Sequence, residues 1–457
     1  MTKTNHHATV SAIVLAAGMG TRMHSRLPKV MHKIADLPLV NHVVNALADA
    51  LVTDITVVVG PNMDVVSKAV APHRAVEQTG QAGTGDAVKA ALGSVPATQG
   101  HVLVLFGADP LIHPETIEQM ITRRGQEDNP AVVVLGYRVN NPDGYGRLVT
   151  GDDDQLAAIV ESNEADAATL EINLCNSGIM AIDRTVLPRL VAQITNDNKK
   201  GEYYLTDIVA IARAEGLHCA YVEGDFDDFI GVDSRHDLAE AEQAIQRRLQ
   251  GRVLAGGATL VDPSSVHFSY DTRIGMDVLI EPHVVFGPGV SVDDGATIRS
   301  FSHLEGCHVS AEAVIGPYAR LRPGTQIGEK VKIGNFVEVK NATFGASAKA
   351  NHLSYVGDAD VGAGANIGAG TITCNYDGFN KSETVIGAGA FIGSNTALVA
   401  PVKIGEGAII GAGSTISKEV AKDALAITRA DQKNIDGYAV KFRSKKARLK
   451  TATKIKE

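Results

Sequence analysis

The sequence predicts two folds in tandem: an α/β domain built on a parallel sheet, then a parallel β-solenoid. Three observations carry this reading. Up to residue 233, short apolar runs alternate with helix-favouring segments, the pattern of a parallel sheet with right-handed crossovers. From Ile274 to Ile416, one bulky apolar residue recurs at every sixth position. Between the two lies a charged, helix-favouring stretch, 234–251.

The first apolar run, 10–15, has buried-strand character and ends in Ala16-Ala17-Gly18-Met19-Gly20-Thr21-Arg22. A helical stretch from about 40 to 50 and apolar strands at 55–59, 102–106 and 132–135 follow. A Gly-rich loop after the first strand sits at the carboxyl edge of such a sheet, where these folds bind ligands. Gly18 and Gly20 let backbone N–H groups approach phosphate oxygens, and Arg22 and Lys29 add positive charge. The loop is neither a Walker P-loop nor G-x-G-x-x-G, and taken alone it also fits a plain tight turn. In the connecting stretch, Leu238, Ala241, Ile245 and Leu249 form one apolar stripe, so a helix ending near Gly251 is expected.

A period of six fits neither a helix at 3.6 residues per turn nor a lone strand. It fits a solenoid whose short strands turn corners, each sending one side chain inward to stack on its counterpart a coil away. Ile315, Leu321, Ile327, Ile333 and Val339 form one unbroken series; Ile386, Ile392, Leu398, Ile404, Ile410 and Ile416 form another. Three hexapeptides make one coil, which implies a triangular cross-section. The period breaks around 341–355 and again at 374–381. Insertions in solenoids emerge as loops on one face, often the binding face. The first break carries His352 beside Tyr355, shortly after Lys340. An imidazole of pKa ~6.5 suits removal of an amine proton, so His352 is the general-base candidate. Arg322 and Lys340, on neighbouring coils, offer a cradle for a phosphate. A purely structural or trimerising solenoid is the competing interpretation.

Composition bounds the rest. The 457 residues are 44% hydrophobic and carry a net charge of −9, which argues against a nucleic-acid partner. The basic tail 441–457 is the exception and reads as a solvated end. Cys175, Cys219, Cys307 and Cys374 are scattered without metal-ligand spacing, which favours reduced thiols. No apolar run approaches the ~20 residues of a membrane span, and the N-terminus lacks a signal pattern. A cytoplasmic protein without membrane insertion is expected.

The string from Leu15 to Met23, with Leu27-Pro28-Lys29 close behind, resembles the signature of sugar-nucleotide pyrophosphorylases. Gln81-Ala82-Gly83-Thr84-Gly85, with Gln78 upstream, is similar to that family's base-binding turn. Gly144-Tyr145-Gly146-Arg147, Glu161, Asn176-Ser177-Gly178 and the segment 201–207 match further family strings in order. The resemblance implies a Rossmann-like nucleotidyltransferase domain. In it, Lys29 and Arg22 hold phosphates, and Leu15, Ala16, Ala17, Gly18, Lys29, Gln78, Gly83, Thr84, Gly144, Glu161, Asn176 and Asp233 contact UTP or the sugar nucleotide. It also implies Mg²⁺ held by Asp109 and Asp233. Two departures mark this chain. The family reads Gly-Asp-x-Pro-Leu where this sequence has Gly107-Ala108-Asp109-Pro110-Leu111, so the carboxylate sits one position late. In an extended segment that shift reverses the side-chain direction. The family's usual Asn is replaced by Asp233, another hard oxygen donor.

With Asn366-Ile367-Gly368-Ala369-Gly370-Thr371, Cys374-Asn375-Tyr376-Asp377-Gly378 and the His352 segment, the resemblance extends over nearly the whole chain. The chain is similar to the bacterial family of bifunctional N-acetylglucosamine-1-phosphate uridylyltransferase / glucosamine-1-phosphate N-acetyltransferases. That implies a left-handed parallel β-helix and four segments: uridylyltransferase 1–233, helical linker 234–252, acetyltransferase 253–440 and tail 441–457. It implies His352 as base, and Arg322, Lys340, Tyr355 and Asn366 on glucosamine 1-phosphate. Ala369, Asn375, Tyr376, Ser394, Ala412 and Arg429 fall to acetyl-CoA. It further implies a homotrimer that acetylates glucosamine 1-phosphate with acetyl-CoA, then couples N-acetylglucosamine 1-phosphate to UTP. A pyrophosphorylase whose β-helix only trimerises or regulates is the alternative.

Overall fold

The computed structural model describes residues 9–95, 100–142, 144–151, 155–225 and 228–454. Two compact units emerge: 1–255 with 267–272, and 256–266 with 273–457.

In the first unit the strands are β1 (Thr9–Ala16), β2 (Asp54–Val59), β3 (Arg74–Glu77), β4 (Gly100–Phe106), β5 (Val132–Arg138), β6 (Arg147–Thr150), β7 (Leu156–Val160), β8 (Leu174–Asp183) and β9 (Cys219–Glu223). The sheet order is β9-β5-β8-β4-β1-β2-β3, with the β6–β7 hairpin attached to β8. Side chains alternate between two cores. Ala12, Val14, Leu103 and Leu105 point to one, where the helix Leu39–Asp49 packs; Ile13, Leu15, Val102 and Val104 point to the other, under the helix Thr84–Ala91. Burial on both faces gives the continuous apolar runs seen in the sequence.

One expectation is corrected. The sheet is mixed, because β8 runs antiparallel to both β4 and β5. Its buried stretch reads like a parallel strand because an apolar run reports burial of both faces and says nothing of direction.

The connecting segment is one helix, Arg235–Ala255, and it belongs to the first unit. Ala241 and Ala244 join Met23, Ile34, Leu39, Leu111 and Val232 in a third apolar cluster, against which Leu238 and Ile245 also pack. This helix therefore backs the loops at the carboxyl end of the sheet.

The second unit is a left-handed parallel β-helix with three inward columns. Ile280, Ile298, Ile315 and Ile333 pair coil to coil down one face. Phe286, Leu304, Leu321, Val339 and Val356 follow the second. Val292, Val309, Ile327, Phe344, Val361, Ile386 and Ile404 follow the third. Corners use left-handed backbone even without glycine. His283, Phe301, Tyr318 and Phe336 have φ of 56° to 61° and stack ring on ring, with centroids 4.8–5.2 Å apart.

The two interruptions differ from each other. Around 341–355 no loop emerges: Asn335 pairs with His352 and Glu338 with Tyr355 in continuous ladders. The coil is shortened at the corner between the inward-facing Val339 and Phe344, where Asn341 adopts φ 44°. The second interruption is a true excursion, a loop between Cys374 and Thr384 closed by a Tyr376–Lys381 bridge.

Candidate active sites

The first site forms where β1 and β4 end. Gly20 has φ +72°, and a Cβ there would lie 2.6 Å from the Lys29 Cβ. Only glycine lets the loop fold against Lys29 in this way. A Cβ on Gly18 would meet nothing within 4 Å, so this stretch of backbone is open to a ligand. Lys29 Nζ lies 2.6 Å from Asp233 Oδ1, and Arg22 Nη2 lies 2.9 Å from Asp233 Oδ2. Asp233 thus holds both candidate phosphate-binding cations.

The late position of Asp109 is absorbed by a turn. Asp109 N donates to Phe106 O at 3.2 Å, and Val232 N donates to Ala108 O at 2.9 Å. The result directs the carboxylate toward the opposite loop: a Cβ on Gly231 would sit 3.2 Å from Asp109 Oδ1. Burial pushes the Asp109 carboxyl up to about 7 from 3.8; the Lys29 ammonium pulls it down and the Asp233 carboxylate pushes it up. The structure therefore brings Asp109, Asp233, Lys29 and Arg22 together.

The turn 81–85 is braced by the segment 203–205. Gly85 N donates to Tyr203 O at 2.8 Å, Tyr203 N to Ala82 O at 2.8 Å, and Leu205 N to Thr84 Oγ1 at 2.9 Å. A Cβ on Gly83 would meet Tyr203 O at 2.6 Å. Gln78 is buried and donates to Gly83 O at 3.0 Å and to Asp86 Oδ2 at 2.8 Å. Asp86 was not a sequence candidate; it also accepts from Ala82 N at 3.2 Å and so ties the turn to Gln78. Further along the edge, a Cβ on Gly146 would lie 3.5 Å from Glu161 and 3.7 Å from Asn176. Burial raises Glu161, with a Thr206 hydrogen bond opposing it. Gly144 takes φ +82° beside open space, and Asn176 Oδ1 accepts from Gly178 N at 2.9 Å. Leu15, Ala16 and Ala17 are buried at the end of β1 and offer only backbone there.

The second site lies on the β-helix. His352 Nδ1 is 2.8 Å from Asn335 Oδ1. An amide oxygen only accepts, so Nδ1 carries the proton and Nε2 is left as the proton acceptor. Asn335 escaped the sequence reading, because nothing local marks a residue one full coil away. Round the adjacent corner, Asn375 Nδ2 donates to Asp358 Oδ2 at 2.5 Å and lies 3.4 Å from the Tyr355 hydroxyl. Asn341 Nδ2 donates to Asp358 Oδ1 at 2.7 Å. Burial works against the Asp358 charge, yet hydrogen bonds from Asn341 and Asn375, then Lys340 and Lys381, hold it below its ordinary range.

Lys340 is lowered, first by the hydrogen bond and charge of Lys381, then by desolvation and Arg322; Asp358 opposes this. Arg322 is held 2.9 Å from Glu338. Three crowded cations, whose mutual repulsion lowers Lys340, mark an anion site. Lys381 is the missed member. Its signal was its place at the end of the excursion that begins with Asn375-Tyr376.

Ala369, Ser394 and Ala412 each precede a corner on successive coils, joined through Asn395 N to Ala369 O at 2.7 Å and Gly413 N to Ser394 O at 2.8 Å. Arg429 Nη1 donates to Ala412 O at 2.6 Å at the same edge. Tyr376 is exposed on the excursion and donates to Gly378 O at 2.6 Å. Asn366 opens a strand on the face that carries Lys349 and Phe391. Among the described residues, no hydrogen bond or ion pair joins His352, Asn366 or Arg429 to the group of Arg322, Lys340 and Lys381.

Comparison with known proteins adds to this geometry. A family described as MobA-like NTP transferase domain matches residues 12–167, and one described as bacterial transferase hexapeptide (six repeats) matches 383–418. The chain is similar to the "Bifunctional protein GlmU" of Paramagnetospirillum magneticum, 56% identical over 441 residues, covering 96% of this chain and 98% of the relative. Proteins of the same description from Azorhizobium caulinodans and Jannaschia sp. are 52% and 48% identical, covering 96% and 97% of this chain and 98% of each relative.

Proposed function

The chain belongs to the bifunctional GlmU family, and from that premise we propose how its own residues perform the two transfers. The protein acetylates glucosamine 1-phosphate from acetyl-CoA on the β-helix, and couples N-acetylglucosamine 1-phosphate to UTP in the α/β unit, forming UDP-N-acetylglucosamine and pyrophosphate.

For acetyl transfer, Arg322, Lys340 and Lys381 hold the sugar phosphate, and Tyr355 and Asn366 hold the sugar. His352 Nε2 takes a proton from the sugar amine, whose nitrogen attacks the thioester carbonyl. The carbon–sulfur bond breaks, and CoA leaves as a thiol once it is protonated. Asn335 keeps the His352 ring in the tautomer that can accept. Ala369, Ser394, Ala412 and Arg429 line the path of acetyl-CoA along one edge, and Asn375 and Tyr376 approach it from the excursion. The observation that carries this reading is the contact of His352 Nδ1 with Asn335 Oδ1 at 2.8 Å, which leaves Nε2 to accept the proton.

For uridylyl transfer, the sugar phosphate oxygen attacks the α-phosphorus of UTP and pyrophosphate leaves. Lys29 and Arg22 exchange Asp233 for the triphosphate oxygens. Gln78, Gly83 and Thr84 hold the base, and Gly144, Glu161 and Asn176 hold the sugar. The donor set fits Mg²⁺: Asp109, beside Gly231, and Asp233, close enough to raise the Asp109 carboxyl, offer hard oxygens. Among the described residues, no group of three or more His, Cys, Asp or Glu gathers around a point. Such a pair suits an ion that keeps substrate phosphates and water as its other ligands. When bound, Mg²⁺ would neutralise charge on the transferring phosphate.

The hexapeptide repeats support a homotrimer in which neighbours complete each acetyl site. The co-substrates UTP and acetyl-CoA support a cytoplasmic location. Among the described residues, no helix is long and apolar enough to cross a membrane, and all four cysteines are free thiols. No nucleic acid is required by this reading, and the helix Tyr438–Lys454, which carries residues 441–454 of the basic tail, is taken as a solvated end.

The test is thiol release from acetyl-CoA with glucosamine 1-phosphate, in wild type and His352→Ala, followed by pyrophosphate release on adding UTP and Mg²⁺. Thiol release lost in the variant, with pyrophosphate formed by wild type, is expected. Pyrophosphate formation from separately added N-acetylglucosamine 1-phosphate, without any thiol release from glucosamine 1-phosphate in wild type, would reduce the β-helix to a scaffold.

A further inference from the structure

Strand β4 ends at Phe106, and Gly107 N still bonds Leu15 O at 2.9 Å, but residues 108–111 belong to no strand. Two contacts bracket this segment. Val232 N holds Ala108 O at 2.9 Å on one side, and Arg248 Nη1 donates to Leu111 O at 2.5 Å on the other. Arg248 Nη2 is fixed in turn by Asp228 Oδ1 at 2.6 Å, which His113 Nε2 approaches at 3.4 Å. The Arg248 and Asp228 side chains are 27% and 16% exposed, so the fork is shielded from competing water. Arg248 lies on the helix Arg235–Ala255, which also holds Ala35 N through Glu242 at 2.9 Å and Met23 O through Arg235 at 3.1 Å.

We propose that Arg248 is a positioning residue of the uridylyl site: by clamping the Leu111 carbonyl against Asp228, it fixes the turn that aims Asp109 at Asp233. This rests on the reading of Asp109 as a ligand of the divalent cation. Because Asp109 sits one position late, its direction depends on the turn and not on a strand, and the turn depends on its two tethers. Arginine is the residue type for this work, since one planar fork serves a carbonyl and a carboxylate together. An outer partner that orients a ligand commonly sets metal affinity by 10- to 100-fold.

The experiment uses the full-length protein and Mn²⁺ as probe, with free Mn²⁺ followed by electron paramagnetic resonance in the presence of UTP. Arg248→Met is expected to raise the Mn²⁺ concentration for half-saturation by about tenfold, with Arg248→Lys in between. Acetyl transfer should be unchanged in both. Glu242→Gln, which loosens the same helix at Ala35, should leave half-saturation where it was. If Arg248→Met binds Mn²⁺ like wild type while Asp109→Asn binds it weakly, the positioning role is wrong and the ligand reading stands. An equal shift in Glu242→Gln would reduce Arg248 to a general stabiliser and overturn the proposal. Wild-type Mn²⁺ binding by Asp109→Asn would remove the ligand reading, and the proposal with it.

Discussion

Replacing Asp109 by Asn should stabilise the metal-free protein while abolishing one of its activities. Burial raises this carboxyl from 3.8 to about 7, so the folded state binds its proton more tightly than the unfolded state. The sign follows from linkage. Below pH 3.8 both states are protonated and the group is neutral in its effect. Between 3.8 and about 7 the unfolded chain ionises and the folded one does not, so stability falls as pH rises. Above about 7 the penalty is full. A shift of about three units at 1.36 kcal/mol each gives an upper bound on the order of 4 kcal/mol. For a unit of this size, 1 kcal/mol moves the melting temperature by about 2–4 °C. Asn keeps the shape without the charge. Calorimetry of the chelator-treated full-length chain should show the α/β transition of Asp109→Asn several degrees above wild type at pH 8. At pH 4 the two should nearly coincide. In parallel, pyrophosphate release should vanish and thiol release should persist. Equal melting at pH 8 would show that the carboxyl is solvated. Retained pyrophosphate release would show that the cation is held elsewhere.

Two further perturbations address the β-helix. Asn335→Ala should free the His352 tautomer and lower kcat for thiol release about tenfold, with KM for acetyl-CoA unchanged; a matching loss in KM would mean the pair only supports the fold. Lys381→Met should raise KM for glucosamine 1-phosphate about tenfold, equivalent to one charge-assisted hydrogen bond of about 1.5 kcal/mol, and leave uridylyl transfer intact. The same substitution removes the largest influence lowering Lys340, so the pH dependence of that KM should shift upward. An unchanged KM would place Lys381 outside the phosphate cradle.

The β-helix was legible because its physics is written at a fixed interval. Each hexapeptide commits one side chain to the interior, and Ile298, Ile315 and Ile333 stack as the period demands. The α/β unit was legible in its layers but not in its strand directions, since β8 is buried like its parallel neighbours. The Gly-rich loop announced itself through glycines that only a close approach requires. Asn335 did not, because its partner lies a coil away and spacing along the chain carries no trace of that contact; Lys381 was marked only by its place on the excursion. Asp109 shows a different limit. Alternation of side chains implied that a one-residue shift would turn the carboxylate away, and the rule failed because the segment is a turn, held by Val232 and by a helix more than a hundred residues downstream.

The ion pairs of Asp233 with Lys29 and Arg22 have a consequence for how the first site is filled. The resting pocket carries its own counter-ion, so on the proposed roles of Lys29 and Arg22 nucleotide arrival would be an exchange and not an addition. A bare triphosphate that takes both cations strands Asp233 without a partner, and part of what it gains is cancelled. A triphosphate that arrives with a divalent ion strands nothing, because the ion gives Asp233 a new neighbour as its old ones leave. UTP in the presence of chelator should accordingly bind weakly to wild type and more tightly to Asp233→Asn, as titration calorimetry would read; no gain in the variant would break the argument. On the roles proposed for Lys29, Arg22 and Asp233, the pocket would act as a coincidence detector, receiving triphosphate and divalent ion well only when the two come together.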